Sequence, residues 1–114
     1  MSNKPIFTPG PWYVLHKVNI IAEGAYYVGC AKDSPYGRSA NEANAALIAC
    51  APEMYEALAQ ASTYLHTLAA VLNTTYQYDS RKEYAKSVLN LAAGMDEKAT
   101  KIDVLLARAR GEAL

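Results

Sequence analysis

The chain has 114 residues, of which 52% are apolar, and its eleven basic and eleven acidic side chains cancel. This length suits one globular domain over residues 1–114, and it leaves apolar surface that a homo-oligomer would cover. Zero net charge gives no overall attraction to nucleic acid or to an anionic membrane, and no segment approaches the roughly 20 consecutive apolar residues of a membrane span. We therefore expect neither partner.

The amino terminus and the cysteines indicate a cytoplasmic protein. The first residues, MSNKPIFTPGPW, contain no apolar run that could serve as a signal peptide. Cys30 and Cys50 belong to no CxxC pattern and to no Cys/His cluster with metal-ligand spacing. We expect both to be reduced, buried free thiols.

The first part of the chain predicts an extended arm over residues 1–11 and a three-stranded antiparallel meander over residues 12–31. Three prolines within the arm remove amide donors and prevent a helix. The strands are predicted at residues 12–15, 18–22 and 25–31, which are rich in aromatic and β-branched residues, with turns near Lys17 and at Glu23-Gly24. Alternation places Trp12 on one face with Val14, where it is expected to anchor the core.

Residues 32–38, KDSPYGR, predict the connection between sheet and helices. Gly37 and Arg38 precede the first predicted helix. The free amide groups at the start of that helix and the guanidinium of Arg38 could together bind an anion. The alternative interpretation is that Arg38 is a solvated loop side chain.

The remainder predicts a helical part over residues 39–110 with three or four helices, which makes the fold α+β. Ser39 and Glu42 match a capping box at the start of the first helix, and Pro52 predicts a bend at Cys50-Ala51 and a second helix to about Asn73. The predicted apolar stripe of the second helix has spacings of three and four and consists of Met54, Leu58, Ala61, Leu65, Leu68 and Leu72.

The last segment leaves one alternative open. Ser80 and Glu83 match a second capping box, and Gly94 could end that helix before another begins at Asp96. The other possibility is one long helix over residues 80–110 with Gly94 inside it, at a cost of about 1 kcal/mol relative to alanine.

The late arginines are the candidate ligand-binding residues. Arg108 and Arg110 fall in the last helical turn, where cations complement the helix dipole. Together with a tyrosine such as Tyr76 or Tyr78, an arginine could instead bind a nucleotide, because guanidinium pairs with phosphate while the ring stacks on a base. His66 has no second histidine four residues on, so we expect no metal site there.

Five short segments resemble a group of small bacteriophage and prophage proteins. The matching residues are Thr8-Pro-Gly-Pro-Trp12, Asn44 to Ala49, Ala51-Pro-Glu-Met54 and Glu56-Ala-Leu58, with a carboxyl-terminal Ala107-Arg-Ala-Arg-Gly-Glu112. The chain departs from the group's pattern at Ala46, where an arginine is usual. The resemblance implies a phage protein that works in the cytoplasm of the host cell.

In size and architecture the chain is also similar to phage anti-defence sponges, including the sponge that counters Thoeris immunity. This resemblance implies a homo-oligomer that holds a cyclic nucleotide or ADP-ribose-derived signal at intersubunit sites, without catalysis or cofactor. It indicates Asn90 and Arg108, with an aromatic residue near Tyr78, as ligand-binding residues. The alternative is an inhibitor that binds a host defence or replication protein directly; an enzyme is disfavoured because no general base or metal motif is evident.

Overall fold

The computed structural model describes residues 7–112 and confirms the α+β prediction. Three strands, β1 (Trp12–Leu15), β2 (Asn19–Ala22) and β3 (Tyr26–Cys30), precede three helices, α1 (Arg38–Ala49), α2 (Ala51–Tyr76) and α3 (Lys82–Ala109). The chain divides between Glu56 and Ala57 into two compact units. The single domain stays a prediction, and residues 1–6 of the predicted arm lie outside the described residues.

The sheet of the first unit is the predicted antiparallel meander, in the order β1-β2-β3. Trp12 pairs with Ala22 and Leu15 with Asn19 across the first two strands. Both hairpin turns use backbone in the left-handed region, at His16 and Lys17 in the first turn and at Gly24 and Ala25 in the second. A register shift between Ile20 and Ile21 bends the pairing of β2 with β3.

The core of the first unit is built around Ile20, whose exposed fraction is 0%. Ala45 and Ala49 of α1 pack on it, and Trp12, Val28 and Ala31 add partly buried contacts. The two alanines lie one helical turn apart, so they present a smooth helix face to the sheet. The prediction that Trp12 is a core anchor is confirmed.

Two of the segments that carry the phage resemblance, Thr8–Trp12 and Ala51–Met54, contact each other. A Cβ built on Gly10 would lie 2.7 Å from the Cβ of Pro52, so glycine is what allows the amino-terminal segment to approach α2. The ring of Phe7 lies edge-on to Trp12 at 6.3 Å and to Tyr55 at 5.2 Å between ring centroids. The indole nitrogen of Trp12 donates to the carbonyl of Thr8 at 3.1 Å.

Both predicted capping boxes are wrong. Helix α1 follows Gly37 and α3 follows Arg81, and neither N-cap residue makes a side-chain hydrogen bond to its helix. In the first case the polar contact is made by Asn41, which accepts from the amide of Ser34 and donates to the carbonyl of Lys32. Asn41 thereby holds residues 32–34 against the first turn of α1. It lies one residue before Glu42, which the predicted box used.

Cys50 also departs from the sequence prediction. Cys30 and Cys50 are both free thiols, and Cys30 is partly buried, but Cys50 is exposed because it occupies the C-cap between α1 and α2. The predicted bend at this position is confirmed.

The second unit is an antiparallel hairpin formed by α2 from Ala57 onward and α3, with residues 77–81 between them. Helix α3 is continuous through Gly94, which settles the open alternative in favour of one long helix. The interface of the hairpin consists of small side chains at every seventh position of each helix. These small buried residues are Ser62 and Ala69 on α2, and Ala85, Ala92 and Ala99 on α3; the next position of the α3 series is the buried Leu106.

This interface corrects the predicted apolar stripe of α2. Leu58, Ala61, Leu65 and Leu72 of the stripe are half-buried, whereas Met54 and Leu68 are exposed. The fully buried positions of the hairpin fall one residue further along, on Ser62 and Ala69. The hydroxyl of Ser62 comes within 3.4 Å of the carbonyl of Ala99, so the helices approach closely along their small residues. The larger side chains consequently flank the interface. Over residues 7–112, no helix is long and apolar enough to cross a membrane.

Candidate functional site

The tip of the hairpin gathers aromatic rings around one guanidinium. The ring of Tyr84 on α3 lies 5.7 Å from that of Tyr76 at the end of α2, in an edge-to-face arrangement. The Cζ of Arg81 lies 4.4 Å above the centroid of the Tyr84 ring, which is cation–π geometry. Tyr78, between the helices, is 90% exposed. We call Tyr76, Tyr78, Asp79, Arg81 and Tyr84 the tip cluster.

Arg81 is held in place by Asp79. The Nε and the terminal amine of Arg81 donate to the two carboxylate oxygens of Asp79 at 3.1 and 2.8 Å, and the amide of Arg81 also donates to Asp79 at 2.8 Å. These hydrogen bonds lower the pKa of Asp79 and raise that of Arg81. The pKa of Tyr76 is raised, chiefly by its hydrogen bond with Tyr84.

The chemistry of the tip cluster is that of a stacking surface. Tyr78 offers an exposed ring face to a base, and such stacking tolerates any base. Arg81 is already paired with a carboxylate, so a phosphate would share the guanidinium with Asp79 and meet less net positive charge.

Within the second unit, the predicted ligand-binding residues Tyr78, Asn90 and Arg108 do not come together in one chain. Tyr78 lies in the tip cluster, and Arg38 is the exposed first residue of α1 in the other unit. Asn90 and Arg108 are both exposed on α3, but about 27 Å apart at the helical rise of 1.5 Å per residue. Arg110, the C-cap of α3, pairs through its Nε with Glu112.

A second polar cluster lies along one side of the hairpin. His66 on α2 contacts two carboxylates of α3, Asp96 through Nδ1 at 2.6 Å and Asp103 through Nε2 at 2.9 Å. Ser62 donates its hydroxyl to the other oxygen of Asp103. Ser62, His66, Asp96 and Asp103 form what we call the polar side.

The geometry of the polar side favours a charged histidine. Carboxylates only accept hydrogen bonds, so both ring nitrogens of His66 donate when the ring is an imidazolium. The hydrogen bonds with Asp103 and then Asp96 raise the pKa of His66. For Asp103, partial burial acts to raise its pKa, but the bonds from Ser62 and His66 outweigh it and lower the pKa.

The polar side does not form a nucleophilic triad. The Ser62 hydroxyl donates to Asp103 and not to the histidine, while both nitrogens of His66 already face carboxylates. Ser62 therefore has no imidazole nitrogen to take its proton. Among residues 7–112, no group of three or more histidine, cysteine, aspartate or glutamate side chains could hold a metal ion.

Both clusters depend on residues that sequence reasoning missed. The pairing of Arg81 with Tyr84 could have been predicted from the sequence, because Tyr84 lies three positions after Arg81 at the start of α3. The partners of His66 lie 30 and 37 residues away along the chain, so no local pattern indicates them.

Comparison with known protein families places the chain in a phage protein family. The sequence profile of a family described as Salmonella phage P22 protein Y8K6 matches residues 1–112, nearly the whole chain. No curated protein and no solved structure matches the chain.

Proposed function

We propose that this chain, which belongs to the Salmonella phage P22 protein Y8K6 family, is a non-enzymatic binding protein in the host cytoplasm. Its ligand would be a cyclic nucleotide or an ADP-ribose-derived signal of host defence, and its action would be to sequester that signal. The observation that carries the proposal is the tip cluster, where Tyr78 is 90% exposed and precedes by three residues Arg81, whose guanidinium lies over the ring of Tyr84.

The proposal requires more than one chain at each site. Asn90 and Arg108 are too far apart on one helix to contact one small ligand. In an oligomer whose helices run antiparallel across an interface, the Asn90 end of one α3 would lie near the Arg108 end of the next. The ligand would then stack on tyrosine at one end and pair with arginine at the other.

The test is calorimetric titration of the protein with cyclic di-AMP and with cyclic ADP-ribose. We expect micromolar or tighter binding of at least one of them, with the ligand recovered chemically unchanged after the protein is denatured. Absence of binding to both, or recovery of a hydrolysed product, would overturn the proposal.

A variant pair locates the site. Tyr78→Ala removes the stacking surface, for which we expect a loss of about 1–3 kcal/mol, or roughly five- to hundredfold in affinity. Tyr36→Ala is the matched control, because Tyr36 is 87% exposed and lies in the first unit. If Tyr78→Ala and Tyr36→Ala bind the ligand with equal affinity, the tip cluster is not part of the ligand-binding site.

A further inference from the structure

The guanidinium of Arg81 in the tip cluster is held on two sides. Asp79 accepts hydrogen bonds from its Nε at 3.1 Å and from one terminal nitrogen, Nη2, at 2.8 Å. The centroid of the Tyr84 ring lies 4.4 Å from its Cζ. A side chain that is fixed in this way has little rotamer freedom left to lose when a ligand binds, so its donors are pre-organised.

The donors of Arg81 that Asp79 does not use form a free fork. A guanidinium has five N–H groups in one plane, and Asp79 accepts one from Nε and one from Nη2. The other three belong to Nη1 and Nη2, and no acceptor among residues 7–112 contacts them. Two of these three lie parallel at the edge between Nη1 and Nη2, so they can donate to two neighbouring acceptors at once. The side chain of Arg81 is 65% exposed and that of Asp79 only 15%, so a ligand meets chiefly the fork.

The charges of the Asp79–Arg81 pair favour an uncharged ligand group at this fork. A phosphate also fits a guanidinium fork, but the negative charge of Asp79 behind the guanidinium would cancel much of the attraction. An uncharged pair of acceptors takes the same two hydrogen bonds and carries no charge for Asp79 to repel. The fork of Arg81 is therefore better suited to the edge of a base than to a phosphate.

Of the two purine bases, guanine offers the matching pair of acceptors. Its O6 and N7 lie side by side and both accept, which is why arginine contacts guanine through two hydrogen bonds. Adenine has N7 and the N6 amino group at the same edge, so one donor of the fork would face another donor.

We infer that the ligand of the tip cluster carries guanine, whose O6 and N7 accept from Nη1 and Nη2 of Arg81. Arg81 is then the residue that determines base specificity, and Asp79 is the residue that positions it. The inference rests on the proposed function, because it takes a nucleotide as the ligand of this site, and it adds the identity of the base.

Two cyclic dinucleotides with the same phosphates and different bases test the inference. In calorimetric titration of the full chain we expect cyclic di-GMP to bind roughly five- to a hundredfold more tightly than cyclic di-AMP, the range that one bidentate base contact supplies. Cyclic di-IMP keeps O6 and N7 and should bind like cyclic di-GMP. Equal affinities of cyclic di-GMP and cyclic di-AMP would overturn the inference and leave the proposed function standing.

Mononucleotides separate failure of the inference from failure of the proposed function. If no cyclic ligand binds, but guanosine 5′-monophosphate binds in preference to the adenosine and cytidine 5′-monophosphates, sequestration of a cyclic signal is wrong and the guanine contact stands. If no guanine nucleotide binds, the inference is overturned, whereas binding of cyclic ADP-ribose would still support the proposed function.

Three variants locate the base contact. Arg81→Lys keeps the positive charge but loses the fork, so it should abolish most of the preference for cyclic di-GMP over cyclic di-AMP. Lys82→Gln is the matched control, because Lys82 is the adjacent exposed cation and has no assigned contact with the base; the preference should remain. Asp79→Asn should weaken the preference and raise the affinity for inorganic phosphate, which a merely structural role of Asp79 would not do.

Far-UV circular dichroism checks that the three variants remain helical. A preference for guanine that persists in both Arg81→Lys and Asp79→Asn would assign the base contact to other residues and overturn the inference.

Discussion

The two units of this protein use side-chain size in opposite ways. The first unit buries the large side chains of Ile20 and Tyr55, and Ile20 packs on two alanines of α1. The hairpin buries mainly alanines and Ser62, with Leu106 as a buried leucine of α3, and exposes other leucines and tyrosines. A large buried side chain removes much apolar area from water within one chain, whereas a small one chiefly lets two backbones approach. The contrast concerns the interiors of the two units, because the sheet also exposes large side chains such as Tyr13, Tyr26 and Tyr27.

The largest expected effect is that of Ile20→Ala in the first unit. Ile20 is the only large residue with a completely buried side chain among those described, so its truncation leaves a cavity and should cost about 2–5 kcal/mol. Denaturant unfolding followed by the fluorescence of Trp12, the single tryptophan, measures the loss. A loss below about 1 kcal/mol would mean that the site collapses onto the cavity, and the contrast between the units would weaken.

Enlarging the hairpin interface is expected to cost slightly less. Ala99→Leu forces α2 and α3 apart and should destabilise the hairpin by about 1–3 kcal/mol, measured from helical signal in circular dichroism. Ala93→Leu is the control, because Ala93 is exposed on the same helix while Ala99 is 0% exposed. Equal stabilities of the two variants would show that close approach of the helices does not matter.

The contact between the amino-terminal segment and α2 gives a third comparison. Gly10→Ala would place its Cβ 2.7 Å from that of Pro52, a rigid side chain, and should cost about 1–3 kcal/mol. Gly29→Ala, on β3, meets no atom within 4 Å and should be tolerated. Urea titration of both variants, again followed by Trp12, checks the difference, and a neutral Gly10→Ala would contradict the contact.

The smallest effect is a pH dependence confined to the hairpin. The folded pKa of His66 is raised above 6.5, so its stabilising contribution is present below that pH and is lost as pH rises through the folded value. The lowered pKa of Asp103 leaves its contribution intact until stronger acid. We expect the helical melting temperature to be higher at pH 6 than at pH 8.5.

Matched histidine variants test whether His66 causes this pH dependence of the melting temperature. His66→Asn should remove the difference between the two pH values. His16→Asn should retain it, because His16 is exposed in the turn between β1 and β2 and asparagine tolerates its left-handed backbone. A difference that persists in His66→Asn would assign the effect to other groups.

The sequence was a good guide where the signal is local. Alternating aromatic and β-branched residues located all three strands, and Pro52 located the bend between α1 and α2. The capping boxes failed although they too are local, because Asn41 and Asp79 make the polar contacts near the helix starts instead. Of the predicted binding residues, Tyr78 lies in the loop that joins α2 and α3, next along the chain to residues of the tip cluster, and Asn90 and Arg108 remain apart.

The sequence by itself determined the α+β order of elements, because strand alternation, helical periodicity and proline positions act over a few residues. Tertiary structure decided which helical face is buried: alanines allow closer helix approach than leucines, so packing favours the small residues over the most apolar ones. It also decided the partners of His66 and the contact of Gly10 with Pro52, since residues distant along the chain meet only when the backbone has folded.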